Sequence, residues 1–291
     1  MNIRRIISKF MENTMIVFKF IKIINLFNRQ SVYLGGNKIL TQTVYGARMM
    51  LDSRDLSLTP NLVTFGLWEP NITQVFLKSI SEGMKVLEIG ANVGYFTLLA
   101  TSKVGAKGKV YAFEANPSTY ETLHNNMDIN GLLGNAHLVN KAVYSESKKL
   151  NFHSLSKHQG GSSLVTFHDD TLSFFNDSVE IIEVDAVSLD DYFKNGYPVI
   201  NFMKIDAEGS EPHIFKGMEK LLLNCPDLIV VCEFNSLLIK GMGSDPLEFL
   251  NYLQKSGFKI QLISEKGQVV DCNISEISDK TMCELFLTKK I

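Results

Sequence analysis

The sequence predicts an α/β protein built on a doubly wound, mostly parallel sheet. Three observations carry that prediction. Residues 85–89 form an apolar run that ends in a glycine turn, Gly90 to Gly94, and continues as a helix from Tyr95. A run that is apolar on both faces reads as a buried parallel strand. Next, a strand at 109–113, a helix from Ser118 and a strand at 137–143 follow with short connections, an alternation that gives right-handed crossovers. Finally, 258–264 and 282–288 read as a closing antiparallel pair turning near Lys266 and Gly267.

The remaining elements fill this frame in order. Residues 38–52 alternate apolar and polar and predict a strand pair turning at Tyr45 and Gly46. Residues 70–80 predict a helix with Ile72, Val75, Phe76 and Ile80 on one face. Between 145 and 187 the pattern changes. Strands at 150–155 and 180–187 flank a Gly160-Gly161-Ser162-Ser163 loop, which predicts an antiparallel excursion from the sheet. Residues 199–205 resume the core. A helix from Glu211 turns Ile214, Phe215, Met218, Leu221 and Leu222 inward, and 227–233 forms a fifth strand. Asp245 and Pro246 open a last helix.

The 291 residues suffice for one large domain with an appendage. A formal net charge of −2 argues against a nucleic-acid binder that works by bulk electrostatics. The four cysteines, Cys225, Cys232, Cys272 and Cys283, have no metal or redox spacing and read as reduced packing residues of a cytoplasmic protein. The first 30 residues carry Arg4, Arg5, Lys9, Lys19, Lys22 and Arg29 against Glu12, a local charge of +5 that leaves −7 for the rest. Their apolar residues recur at helical spacing, but Lys19 and Lys22 interrupt the run before it can span a bilayer. Such a helix either lies on an anionic membrane surface as a peripheral contact, or packs on the domain or on a second copy in a homodimer.

The glycine turn is a place for a nucleotide-like ligand, because glycines allow close backbone approach and a helix start offers free N–H groups. It is not the dinucleotide fingerprint: Asn92 stands where a second glycine is needed. Glu88, two residues before Gly90, suits a ligand with cationic groups, such as S-adenosyl-L-methionine with its ammonium and sulfonium. Glu114 lies 20 residues beyond Gly94, at a strand end. An acid there accepts hydrogen bonds from both hydroxyls of a ribose. Asn116 lies within reach of the same nucleoside, and the backbone at Lys141 and Ala142 is where its base would rest.

A second focus is Lys204-Ile205-Asp206-Ala207-Glu208-Gly209-Ser210-Glu211. It sets three carboxylates at the edge of the sheet where open α/β folds bind ligands. Asp206 is the first candidate for contact with the reaction centre. Glu208 and His213 follow as candidate bases, since an imidazole titrates near pH ~6.5. Asp206, Glu233 and Asn235 are all-oxygen ligands of the type Mg²⁺ takes, but a metal is not the favoured reading. His153, His158 and His168 belong to the excursion and read as packing or surface residues.

These stretches resemble a known family. Trp68-Glu69-Pro70, the run from Glu88 through Gly94 to Thr97, Phe113-Glu114-Ala115-Asn116-Pro117, Gly161-Ser162-Ser163, Val187-Ser188-Leu189-Asp190 and the Lys204 to Glu211 element are similar to those of the FkbM family of S-adenosylmethionine-dependent methyltransferases. The resemblance runs from about Tyr45 to the end of the chain. It implies a class I methyltransferase-like Rossmann fold: a seven-stranded, mostly parallel sheet with a reversed last strand. The antiparallel insertion at 145–187 and an N-terminal extension are added to that fold. It divides the chain into a basic amphipathic helix at 1–30, a strand pair and helix at 31–80, and the cofactor-binding domain at 81–291.

The resemblance also implies cofactor contacts from Glu88, Gly90, Asn92, Gly94, Thr97, Glu114 and Asn116, with Asp206 near the methionine part. Glu88 stands where Asp is more usual, and Ala115 where Pro is common. The implied activity is methyl transfer to a hydroxyl, most often of a sugar or polyketide-type product, which suggests glycan biosynthesis. Three other readings stand beside it, of which a nicotinamide oxidoreductase is disfavoured by the missing pyrophosphate glycines. An RNA methyltransferase would carry an Asn/Asp-Pro-Pro-aromatic motif where Asp206-Ala207-Glu208-Gly209 stands. A non-catalytic binding protein would keep the fold alone.

Overall fold

A computed structural model describes residues 30–166, 172–173, 176–278 and 280–289. The amphipathic N-terminal helix read from the sequence and His168 lie outside the described residues. Fourteen strands are described: β1 Val32–Gly35, β2 Lys38–Gln42, β3 Arg48–Asp52, β4 Lys85–Ile89, β5 Lys109–Phe113, β6 Ala136–Val139, β7 Ala142–Val143, β8 Lys148–Leu155, β9 Val179–Val187, β10 Phe202–Ile205, β11 Ile229–Asn235, β12 Phe258–Ile263, β13 Val269–Asp271 and β14 Met282–Lys289. No helix among the described residues is long and apolar enough to cross a membrane.

The central sheet runs β13-β12-β14-β11-β10-β4-β5-β6. β6, β5, β4, β10 and β11 are parallel neighbours. β14 enters antiparallel between β11 and β12. This is the predicted seven-stranded sheet with a reversed last strand. An eighth strand, β13, is added at the edge beyond β12. The turn at Gly267 therefore leads into β13 and not directly into β14. All three residues of β13 are exposed, so no apolar period marks it.

Side-chain alternation along the central strands fixes what each face does. Leu87, Ile89, Met203 and Ile205 point into one core, with Ile214, Phe215, Phe249 and Leu253. Val86 and Phe202 point into the other, with Val75, Phe76, Phe96 and Leu98. Glu88 follows Val86 on the second face, and Lys204, its register partner on β10, follows Phe202. Two charged side chains thus lie side by side beneath the helix Tyr95–Val104, in an otherwise apolar layer.

Three boundaries differ from the sequence reading. The predicted strand at 137–143 breaks in two: β6 stays in the central sheet, and β7 joins β8 and β9 in a second, three-stranded sheet. Asn140 makes the break by donating its side-chain amide to the carbonyls of Glu114 and Ala115 at 2.9 and 3.1 Å. The helix from Glu211 also splits, into Glu211–Lys216 and Glu219–Leu223. Gly217 lies between them, so close to the Tyr144 carbonyl that a Cβ there would sit 2.1 Å from its oxygen. Finally, the N-terminal strand pair is a triplet, because β1 pairs with β2.

Candidate active site

The strand ends and the glycine turn enclose a cavity of about 300 Å³ at the C-terminal edge of the sheet. Its floor is the β4 turn. Gly90 has a φ of +78°, and a Cβ there would lie 1.8 Å from the Asp206 carbonyl oxygen. Only glycine lets the β4 and β10 ends come this close. Asn92 also takes a left-handed φ of 49°. Gly94 precedes the helix with a φ of +92°, and a Cβ there would meet Leu123 at 2.6 Å. Gly90, Ala91 and Asn92 line the cavity, while Gly94 shapes the turn from behind.

Glu114 closes this side. One carboxylate oxygen accepts the backbone N–H of Asn92 at 2.8 Å, and the other that of Asn116 at 2.9 Å. Burial still pushes its pKa up to about 7, partly offset by these backbone bonds. Both oxygens keep lone pairs for further donors on the cavity side. Glu88 is also buried, and accepts the Thr97 hydroxyl at 2.7 Å. Burial raises it to about 7 against the pull of Lys204 and Thr97. Thr97 sits behind Glu88, away from the cavity, and orients it. Ala142 lines the cavity where β7 leaves the sheet.

Asn116 lines the cavity, but its side chain is already engaged. Its oxygen caps the helix Pro117–Asp128 by accepting from the Ser118 N–H at 3.0 Å. Its amide donates to the Ser154 hydroxyl at 2.9 Å. This fastens the inserted sheet to the turn, so its geometry is that of a support for Glu114.

The other half of the cavity is acidic. Glu69, Asp206, Glu208 and Glu233 line it. Lys204 donates to Asp206 at 2.6 Å. Burial disfavours the Lys204 charge, yet the surrounding Asp206, Glu69 and Glu88 raise its pKa. Burial, then Asp206, raises Glu208 well above the usual carboxylate range. Glu233 is driven the same way by burial, then Asp206 and Glu208. Glu211 instead turns under the loop, where one oxygen accepts the Ala207 N–H at 3.0 Å.

Two sequence-based assignments are corrected. His213 is not in the cavity: its ring stacks on Tyr144, centroids 4.5 Å apart at 17°, and its Nε2 faces the Met242 carbonyl. The helix from Glu211 carries it to the far side of the carboxylates. Asn235 does not join Asp206 and Glu233. It caps the helix Ser236–Gly241 by accepting from the N–H groups of Leu237 and Leu238. Glu208 takes its place beside them.

Sequence reasoning left three groups unassigned. Lys204 was visible as a lone charge inside an apolar strand. Glu69 is part of the Trp68-Glu69-Pro70 stretch, whose resemblance to the family assigns it no role. The roof was not visible, because it joins distant segments. Asp55 accepts N–H groups from Ser57, Leu58 and Thr59 and, across the cavity mouth, from Gln159. Ser57 Oγ accepts the Gly160 N–H at 3.1 Å. Ser57, Leu58, Trp68 and the loop 159–164 therefore cover the site together.

Known proteins resemble this chain at the level of the family. Residues 88–260 match the family model described as "Methyltransferase FkbM domain". Methyltransferase 1 of Beauveria bassiana is 24% identical over 160 residues, covering 50% of this chain and 63% of that protein. Methyltransferase sdnD of Sordaria araneosa is 26% identical over 157 residues, 46% of this chain and 60% of that one. The hexuronic acid methyltransferase AglP of Haloferax volcanii is 24% identical over 163 residues, 56% and 61% respectively. The chain spans about three fifths of the length of these curated relatives. Among solved structures it is similar to M. jannaschii TYW2 in complex with AdoMet, with a TM-score of 0.46 and 16% identity over 89% of this chain and 90% of that one. It is also similar to the O-methyltransferase from Bacillus cereus in complex with SAH, with a TM-score of 0.42 and 15% identity over 82% and 84%. With the family match covering more than half of its length, the chain belongs to the FkbM methyltransferase family.

Proposed function

We propose that the protein transfers a methyl group from S-adenosyl-L-methionine to a hydroxyl oxygen of a sugar or glycan. The observation that carries the reading is Glu114, held by the N–H groups of Asn92 and Asn116 beside a glycine turn that admits close approach. A paired carboxylate at this strand end suits the two hydroxyls of a ribose. Glu88, Gly90, Asn92 and Ala142 would hold the rest of the cofactor, with Gly94 and Thr97 shaping the turn behind them. Asp206 would lie near its methionine part. When bound, the cofactor supplies an already electrophilic methyl carbon.

The chain's own work is then to place the acceptor oxygen in line, within about 3–3.5 Å, and to exclude water. The roof serves the second task. Glu208 and Asp206 are the groups placed to take the hydroxyl proton. A sugar acceptor is supported by family membership and by the similarity to AglP, a hexuronic acid methyltransferase. The acidic half disfavours an RNA acceptor, since Glu69, Asp206, Glu208 and Glu233 would face its phosphates.

Calorimetry with S-adenosylhomocysteine and NAD, followed by incubation with methyl-labelled cofactor and fractionated glycans, tests this. Binding of the first ligand alone and label in a glycan fraction are expected. Failure to bind S-adenosylhomocysteine or S-adenosylmethionine would overturn the reading and leave a binding protein that keeps the fold.

A further inference from the structure

Asp206 comes from the end of β10, Glu208 from the loop after it and Glu233 from β11. One carboxylate oxygen of each lies within 4.8 Å of the others. Carboxylates this close repel one another unless a cation or a shared proton lies among them. Lys204 neutralises part of the cluster, but it reaches Asp206 from the side and shares its charge with its register partner Glu88. Glu208 and Glu233 form no ion pair among the described residues, and the pull of Lys204 on Glu208 is weaker than the opposing push of Asp206 and Glu211. Glu208 is also held at a φ of 50°, a left-handed backbone uncommon outside glycine and costly to keep.

A second observation is independent of the clustering. Glu233 is 7% exposed, lines the cavity, and its Oε2 has no hydrogen-bond partner among the described residues. A buried, unpaired carboxylate oxygen facing a cavity is costly without a ligand. We propose that Asp206, Glu208 and Glu233 bind a divalent cation through carboxylate oxygens, with Mg²⁺ or Mn²⁺ as the fitting ions. All-oxygen ligation selects such hard ions over zinc or copper. An ion there would neutralise the acidic half and hold the acceptor oxygen, which makes the hydroxyl easier to deprotonate. The binding site stands on the carboxylate cluster and the unpaired Glu233 oxygen, whereas this role rests on the methyl-transfer reading.

The test uses the full chain, stripped with a chelator and then titrated with Mn²⁺ while free Mn²⁺ is followed by electron paramagnetic resonance. No methyl donor or acceptor is present. The expected result is saturable binding of one ion, displaced by excess Mg²⁺. E233Q should weaken it at least about ten-fold, and E208Q likewise. The E208Q variant, at a half-buried loop position, keeps the test valid if E233Q does not fold. No saturable Mn²⁺ binding, or binding unchanged in both variants, overturns the proposal. So does an absence of Mn²⁺ binding paired with tight binding of an amino sugar, which would assign the cluster to an ammonium group. S-adenosylhomocysteine affinity measured on the same samples separates failure of the metal site from failure of the methyl-donor reading.

Discussion

Gly90 and Asp206 touch through their backbones: a Cβ on Gly90 would overlap the Asp206 carbonyl oxygen at 1.8 Å. The contact ties the glycine turn to the acidic loop, so neither can shift without the other. Gly90→Ala should therefore cost both stability, by about 1–3 kcal/mol, and S-adenosylhomocysteine binding. Gly83 shares the left-handed backbone, with a φ of +84°, but has open space around it. Gly83→Ala should lower the melting temperature and leave binding intact. Equal binding loss in both variants would show that backbone strain, not the contact, matters.

Glu114 makes ligand binding depend on pH. Burial raises it from an ordinary value of 4.5 to about 7. Two ribose hydroxyls are best accepted by the ionised form, so affinity for S-adenosylhomocysteine should rise between pH 6 and 8. The ligand-free protein should move the other way. A carboxyl whose folded pKa is raised contributes stability in full below its unfolded value, and that contribution is lost as pH rises through about 7. Glu88, also raised to about 7 by burial, acts with the same sign. Melting temperature without ligand should fall from pH 6 to 8. Glu114→Gln should flatten the affinity profile and weaken binding about ten-fold, because one backbone N–H would then face an amide NH₂. A pH-independent wild-type affinity would refute the ribose role.

His213 should prove dispensable for chemistry. It is half-buried against Tyr144, and burial lowers its pKa. His213→Ala should cost about 1 kcal/mol of stability through the lost stack and leave turnover within about two-fold. His213→Phe should recover the stability. A fall in turnover of roughly a hundred-fold at unchanged melting temperature would restore it as a base.

The fold was legible where the signal is local. The apolar runs at 85–89 and 109–113 end at the observed bounds of β4 and β5 because a turn or a charged residue stops each. β13 was not legible: three exposed residues carry no period, and only pairing with β12 makes them a strand. The break at Asn140 depends on carbonyls 25 and 26 residues away. The site divides the same way. Glu88, Gly90, Asn92 and Glu114 sit at strand ends and turns that the sequence marks. His213 was misjudged because its direction depends on how the helix after Gly209 is rotated and on Tyr144, which no local pattern contains. The roof depends on Asp55 reaching Gln159, a partner 104 residues further along the chain.

Ser57, Leu58, Trp68, Glu69 and Met282 all border the cavity, yet lie outside the 88–260 stretch that matches the family model. The shared stretch supplies the glycine-turn floor and most of the carboxylates. A large part of the covering wall is drawn from the flanking chain, tied to the loop over the cavity through Asp55 and Gln159. The match over residues 88–260 therefore takes in the floor and the loop 159–164 but not the wall formed by Ser57, Leu58, Trp68, Glu69 and Met282. Exchanging the segment around Ser57 to Glu69 between relatives is the direct route to changing what enters.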